Sequence, residues 1–308
     1  MTSAWPPLPN YADWQATCDT LHAHTQVLGK LAVALAPPEP QLQHAALRLT
    51  ARGWETPPLP VPDGSGAIVA ALDLHTHEAV VEHSDGRARR ISLTPHRAVG
   101  EVTRDVLEAA RAVAGDDIAI NPTPQEVPWT VPLDADEEHA TYDPGQVTAY
   151  FDAATHAALV LARLRAPYRG RATPVNAWWG SFDLAVSLFS GAPATPPSDD
   201  FIMRNAMTAQ EVAFGWWPGD SRYGEPAFYV YAFPTPPGYV PISPAPAPGR
   251  WDAGLGEYLL DWTEARAAPD PAGAFMDFAL SVFRHACAEC QWDPALSASA
   301  EGSPPPVA

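Results

Sequence analysis

The sequence predicts an α+β protein of two pseudo-repeated units, each an antiparallel sheet of about four strands flanked by helices. Two echoes and their setting predict this. Lys30-Leu31-Ala32-Val33-Ala34-Leu35 reappears as Asp183-Leu184-Ala185-Val186-Ser187-Leu188, and Ala51-Arg52-Gly53-Trp54 reappears as Ala213-Phe214-Gly215-Trp216, in the same order and at comparable spacing. Each echo stands between one helical pattern and another, as a duplicated unit would place it. Runs this short also arise from ordinary Leu/Ala/Val strand composition. The expected organisation is a first repeat over 1–120, a Pro-rich acidic connector over 121–142, a second repeat over 143–292 and a disordered tail over 293–308.

Taken in order, Trp14, Cys18, Leu21, Thr25 and Leu28 recur at helical spacing, which predicts a helix over 11–28 that Gly29 ends. Short apolar strands follow at 31–35 and 45–51, separated by Pro37, Pro38 and Pro40. Ile68, Ala70, Leu72 and Leu74 alternate, 79–82 is strand-like, and Asp85-Gly86 supplies the left-handed conformation of a tight hairpin. Thr94-Pro95 reads as a helix start, with Val99, Val102, Val106, Ala110 and Val113 on one face and Gly115 as the stop. A further short strand fits 118–120.

The second half opens with Asp143-Pro144 and the helical face Val147, Phe151, Ala154, Ala158 and Leu161. Strands are expected at 175–188, 208–214, 227–233 and 257–260, and proline-rich loops at 191–200 and 234–249. Asp270-Pro271 begins a last helix through Phe275, Phe278, Val282 and Ala286. After Trp292 the chain is rich in Ser, Ala and Pro, a composition that resists ordering.

Composition narrows the function classes. The 308 residues carry 36 acidic against 18 basic side chains, a formal charge of −18, with no basic run, which argues against nucleic acid or an anionic membrane as partner. Nothing approaches the ~18 uninterrupted apolar residues of a membrane span, and the start has neither a basic leader nor an apolar run, so the expected location is cytoplasmic. Cys18, Cys287 and Cys290 are too few and too unevenly placed for a disulfide framework. Lys30 is the only lysine in a chain that otherwise uses Arg.

Several patterns that carry chemistry elsewhere are weak here. His22 with His24, and His75 with His77, are two apart: on a strand both rings would share a face, whereas on a helix they point about 200° apart. Cys287-Ala288-Glu289-Cys290 has redox or zinc form but falls at a helix C-terminus, where the dipole disfavours a thiolate. No glycine-rich phosphate loop occurs, and Gly180-Ser181-Phe182-Asp183 lacks the second glycine of a nucleophile elbow. Trp178, Trp179, Trp216, Trp217, Tyr229 and Tyr231 suit either a ligand cavity or a core with hydrogen-bonded hydroxyls. Glu211 leads directly into an apolar strand, so it needs a partner or a wet cavity.

The phrases His22-Ala23-His24-Thr25-Gln26-Val27-Leu28-Gly29-Lys30, Thr50-Ala51-Arg52-Gly53, Glu138-His139-Ala140-Thr141-Tyr142-Asp143, Trp179-Gly180-Ser181-Phe182-Asp183-Leu184-Ala185 and Glu225-Pro226-Ala227-Phe228-Tyr229-Val230-Tyr231, with the opening Trp5-Pro6-Pro7-Leu8-Pro9, resemble a bacterial family known as DUF5996, a domain of unknown function. The resemblance spans nearly the whole chain and brings no activity with it. It implies His22, His44, Lys30, Asp183 and Glu211 as typical residues, and histidines where this chain has Gln41, Asn176 and Gln210, which counts against a metal in this member.

The reading that follows is a small molecule bound between sheet and helices or between the repeats. His22, Lys30, Asp183 and Glu211 are the candidate catalytic set if the protein is an enzyme. Gln26, His44, Arg52, Trp179, Ser181, Trp216, Tyr229 and Tyr231 are the candidate ligand contacts. Two other classes remain open: a non-catalytic ligand-binding or interaction module, and a metalloenzyme using His22, His44, His139 and Glu211. Lys30 and Asp183, equivalent in the echo, are further expected to pair across the seam between repeats.

Overall fold

The computed structural model describes residues 4–115, 117–236, 239, 241–244 and 248–302. In chain order the elements are α1 (Tyr11–Leu35), a 3-10 helix (Pro40–Ala45), β1 (Arg48–Thr50), β2 (Gly53–Glu55), β3 (Leu59–Pro60), β4 (Ala67–Asp73), β5 (Glu78–His83), β6 (Ala88–Ser92) and α2 (Val99–Ala114). They continue with α3 (Pro144–Arg165), β7 (Asn176–Trp178), β8 (Asp183–Pro193), α4 (Phe201–Ala206), β9 (Ala209–Trp217), β10 (Ala227–Phe233), β11 (Arg250–Asp252), β12 (Glu257–Asp261), α5 (Trp262–Ala267), α6 (Pro271–Glu289) and α7 (Pro294–Ser299).

The fold is α+β, with two antiparallel sheets of six strands each rather than about four. One runs β1-β2-β4-β5-β6 with β3 paired to β4; the other runs β11-β12-β10-β9-β8-β7. Each is a near-sequential meander preceded by a long helix, α1 or α3, and followed by a helix, α2 or α6. The repeat therefore holds in element order. It fails in the residues expected to carry it: Lys30–Leu35 is the last part of α1, whereas Asp183–Leu188 is strand β8. By order along the meanders β2 corresponds to β8, so Gly53-Trp54 matches the start of β8 and not Gly215-Trp216 in β9.

The chain divides into two compact units interleaved in sequence. The α1 unit is Ala12–Phe151 with Asn176–Asp183, and the α6 unit is Met1–Tyr11, Asp152–Val175 and Leu184–Ala308. This differs from the expected cuts at 120 and 143, because the long helices and the β7–β8 turn carry the chain from one unit to the other. In the α1 unit, α2 buries Val99, Val102, Val106, Ala110 and Val113, the face its 3.6-residue period marks out. In the α6 unit, β9 turns Phe214 toward Phe283 of α6, ring centroids 5.8 Å apart, and Phe228 of β10 packs on Phe275 at 4.4 Å. Alternation leaves Glu211, Ala213, Gly215 and Trp217 on the opposite face of β9.

Local expectations fail where a polar or tertiary contact outweighs pattern. Gly29 does not end α1, which continues to Leu35 and stops before Pro37 and Pro38. The expected strand at 31–35 is therefore helix. The 45–51 segment begins in the 3-10 helix, bridges Ala177 at Leu47 and pairs with β2 as β1. Thr94-Pro95 does not start α2, whose N-cap is Ala98, and 118–120 forms no strand. Asp143 does cap α3, its Oδ1 accepting from Gln146 N at 2.9 Å, and Gly115, at φ 76°, closes α2 as expected. The single strand expected at 175–188 is broken by the turn Trp179–Phe182 into β7 and β8. α4, capped by Asp200 inside the expected 191–200 to 208 loop region, has no strong sequence signal.

The expected disordered tail is helical in its first part. Asp293 caps α7 by accepting from Ala295 N at 2.8 Å, Ser299 Oγ accepts from Arg169 N at 3.1 Å, and Trp292 meets Phe283 edge-on at 5.8 Å. Residues 303–308 lie outside the described residues, as does part of the 234–249 loop. The N-terminal segment is equally tied down: Trp5 stacks on Trp262 at 4.6 Å, and Trp262 Nε1 donates to Pro6 O at 2.9 Å. Trp5→Ala is therefore expected to cost about 3–5 kcal/mol, read as a lower denaturant midpoint with an unchanged slope. A midpoint equal to that of the parent protein would show that this segment is dispensable.

Candidate functional site

His22, Gln26 and Lys30 are four residues apart on α1, so they form one row along the helix, and all three are buried. Two segments cover this row. One is the β7–β8 turn. His22 Nε2 lies 2.9 Å from Trp179 O and 3.0 Å from Gly180 O, and contact with two carbonyl oxygens makes that nitrogen the N–H donor. The His22 ring stacks on Phe182 at 4.9 Å. Phe182 in turn stacks on Trp54 at 5.3 Å and Tyr150 at 5.1 Å, all within 16° of parallel. Phe182 holds φ at 56°, a left-handed conformation that a bulky residue adopts only when its surroundings enforce it.

The second cover is the connection between α2 and α3. Gln26 binds the backbone of Gln125 twice, donating from Nε2 to its carbonyl at 2.9 Å and accepting its N–H on Oε1 at 2.9 Å. Trp129 meets His22 edge-on at 5.7 Å and lies 4.9 Å from His139, whose Nδ1 is 2.7 Å from Asp136 Oδ2. A connection this long without regular structure usually has a function. Here it is pinned to the polar row by side-chain amides.

Lys30 ends the row. Its residue is 5% exposed, its Nζ donates to Gln125 Oε1 at 3.3 Å, and it lies 5.2 Å from the Trp179 ring centroid. Among the described residues no carboxylate comes within 4 Å of it, so the expected pair with Asp183 does not form. Burial pushes its amine down to about 8. Asp183 is buried beside the turn and accepts from Ser181 Oγ in a short hydrogen bond.

Trp179 makes the close packing possible. Its indole lies flat against α1 at Gly29, where an added Cβ would stand 2.0 Å from Trp179 Cγ, and its Nε1 donates to Ala45 O at 3.1 Å. His24, on the far side of α1, is 1% exposed with neither ring nitrogen hydrogen-bonded, and burial pushes it down to about 4. The His22/His24 spacing thus takes its helical outcome, with the two rings in different surroundings.

The other candidates lie elsewhere. In the α6 unit Glu211 is 7% exposed and is pushed up to about 7 by burial, opposed by the Ser187 hydroxyl and the charge of Arg171. Its cross-strand neighbours are Phe189 and Phe233. Tyr229 and Tyr231 stack at 6.0 Å on that same face, Tyr229 over the bare backbone of Gly215. Trp216 faces the other way, fully buried, and packs edge-on against Trp262 at 5.7 Å. In the α1 unit Arg52 is held by Glu55 at 2.8 Å and Glu82 at 3.2 Å, and His44 Nδ1 accepts from Glu39 N at 3.0 Å. Both serve local structure.

Asn176, where the family resemblance expects histidine, accepts from Arg48 at 2.6 Å and donates to Gln43 at 3.1 Å. Gln41 is buried in the 3-10 helix and Gln210 accepts from Ser190 at 3.0 Å. Among the described residues no three His, Cys, Asp or Glu side chains are grouped to hold a metal ion, so the His22, His44, His139 and Glu211 set forms no such centre. The three cysteines are free thiols, with Cys287 pushed up to about 12 by burial. Gln125, Trp129, Phe182, Trp54 and Tyr150 were not foreseen. Only the turn that holds Phe182 is signalled in sequence, by Gly180 two residues before it.

Fold and site together define an α+β protein of two antiparallel meanders with a buried polar row on its first helix. The sequence matches the Family of unknown function (DUF5996) over residues 5–299, and the chain belongs to that family. No curated protein and no solved structure matches it. No helix among the described residues is long and apolar enough to cross a membrane.

Two outcomes follow. Gly29→Ala forces a methyl group into the Trp179 ring and should destabilise by about 1–3 kcal/mol or more, although alanine is the better helix former, as read from the melting temperature. Glu211 binds its proton more tightly folded than unfolded, so its stabilising protonation is complete below about 4.5 and is lost as pH rises through about 7. Glu211→Gln should therefore match the parent protein at pH 4 and exceed it by up to about 3 kcal/mol at pH 8 in denaturation. A gap independent of pH would mean that the carboxylate is ionised at no cost.

Proposed function

We propose that the protein binds a small molecule through an oxygen acceptor delivered to Lys30 at the end of the α1 row. One observation carries this reading: a buried ammonium with three N–H donors has, among the described residues, a single acceptor, Gln125 Oε1 at 3.3 Å. Burying a charge without a counter-ion costs several kcal/mol, and a fold that keeps one generally uses it. A carboxylate, phosphate or carbonyl oxygen would supply the missing partner, with the Trp179 face as an apolar wall. An ammonium rather than a guanidinium suits a narrow space that needs one point charge.

His22 belongs to the scaffold of this site. Its Nε2 proton is committed to two turn carbonyls, so it positions Trp179 and does not exchange protons with a ligand through that atom. This favours binding, or chemistry at the lysine, over imidazole acid–base catalysis.

The test is thermal melting of the parent protein and of Lys30→Met with oxalate, glyoxylate or inorganic phosphate. Without ligand the variant should melt at or above the parent, because a buried charge is replaced by an apolar chain of similar length. At a hundredfold excess over Kd a ligand stabilises the parent by about 2.7 kcal/mol and should leave Lys30→Met unmoved. Equal shifts in both proteins, or none in either, would remove Lys30 from ligand binding.

A further inference from the structure

We propose that Lys30 captures its ligand covalently, as a reversible imine with a small aldehyde or 2-oxo acid. The inference rests on the reading of the α1 row as a ligand site and names the chemical class it takes. A lysine retained for charge alone is normally paired. Lys30 has no carboxylate partner among the described residues, and its one acceptor is a neutral side-chain amide. Such a setting leaves the amine free to exist without its proton, the form whose lone pair attacks a carbonyl.

Geometry supplies the remaining parts. The Trp179 ring lies under Nζ at 5.2 Å, a flat apolar wall suited to a planar C=N group. Gln125 Oε1, now accepting an N–H from the amine, can accept the N–H of the protonated imine in the same place. Gln26 holds the Gln125 backbone by two hydrogen bonds, which anchors the residue whose side chain carries the acceptor. Desolvation brings the amine to about 8, so an appreciable fraction is neutral near pH 7.

In the step itself, the Nζ lone pair forms a C–N bond to the carbonyl carbon while the C=O π pair moves to oxygen. A proton passes from nitrogen to that oxygen, giving a carbinolamine. The hydroxyl takes up a proton from solvent and leaves as water as the nitrogen lone pair closes the C=N bond, and the protonated imine so formed returns a proton to solvent when it becomes neutral. Amine and carbonyl become imine and water, with no change of oxidation state.

Because Lys30 is the only lysine, any side-chain amine adduct must lie there. The full-length protein is incubated with glyoxylate and cyanoborohydride, native and in guanidinium, then mapped by mass spectrometry, with the α-amino group as a reagent control. The expected result is a carboxymethyl group on Lys30, formed at pH 7 about tenfold faster in the native than in the denatured chain, whose lysine titrates near 10.4. The native rate should rise to half its plateau near pH 8. Labelling no faster in the native chain, or none at Lys30, overturns the imine. Oxalate has no reactive carbonyl and separates the two claims: if it still raises the melting point of the parent but not of Lys30→Met, the binding reading stands without the covalent step. If oxalate gives no such shift and Lys30 is labelled no faster in the native chain, both fall.

Discussion

The contact on which the α1 unit depends is the indole of Trp179 lying against the bare backbone of α1 at Gly29. Any larger residue at 29 would hold the β7–β8 turn off the helix. With the turn seated, His22 reaches the carbonyls of Trp179 and Gly180, Phe182 enters its stack with His22, Trp54 and Tyr150, and Lys30 comes to lie over the indole. Aromatic packing and the paired hydrogen bonds of the turn together hold Phe182 in a backbone conformation it would not choose alone. A glycine within a long helix, costly by propensity, is here the condition for every later contact.

Two buried ionisable groups, one in each unit, are handled in opposite ways. Glu211 lies among apolar strand neighbours with a hydroxyl donor and a guanidinium charge close enough to soften its burial, and it can shed its charge by keeping a proton. Lys30 has only an amide oxygen, and the largest influence on it is loss of water. His24 is a third case, a neutral imidazole enclosed with both nitrogens unserved and close enough to Asp136, His139 and Arg97 to feel their charges. Unserved polar atoms in a packed interior are rare and expensive. That α1 carries them at Trp14 Nε1 and at both His24 nitrogens, along with a buried lysine held by one amide oxygen among the described residues, sets this helix apart from an ordinary core helix.

The α+β class, the meanders and most helix positions were legible because they rest on local periodicity: the valine face of α2, the alternation of β4 and the Asp143 cap of α3 all behave as their spacing requires. Gly29 was misread because a glycine that permits close approach and one that ends a helix look alike in one dimension. The echo of Lys30–Leu35 in Asp183–Leu188 misled for a similar reason, since an apolar run is helix or strand according to what covers it. His22, Gln26 and Lys30 were each singled out, and the helix extending through Gly29 puts them in one row. Gln125 and Trp129 were not, because a connector rich in proline and acid carries no periodic signal of what it will cover. Trp216 and Trp217 could not be told apart because alternation separates the two faces without saying which lies under a helix.

The interleaving of the two units has a consequence for how the chain is made. The α1 unit takes its last segment, Asn176–Asp183, from beyond α3, so a nascent chain that has finished α2 still lacks the turn that seats on Gly29. The α6 unit has the opposite problem: Trp5 is made long before its stacking partner Trp262. Until Trp262 is made, Trp5 is an apolar group waiting on a contact far along the chain, a non-local closure that slows folding and lengthens the time open to aggregation. Each unit is thus assembled from separated stretches of the chain, and neither is one continuous segment that can be cut from the gene.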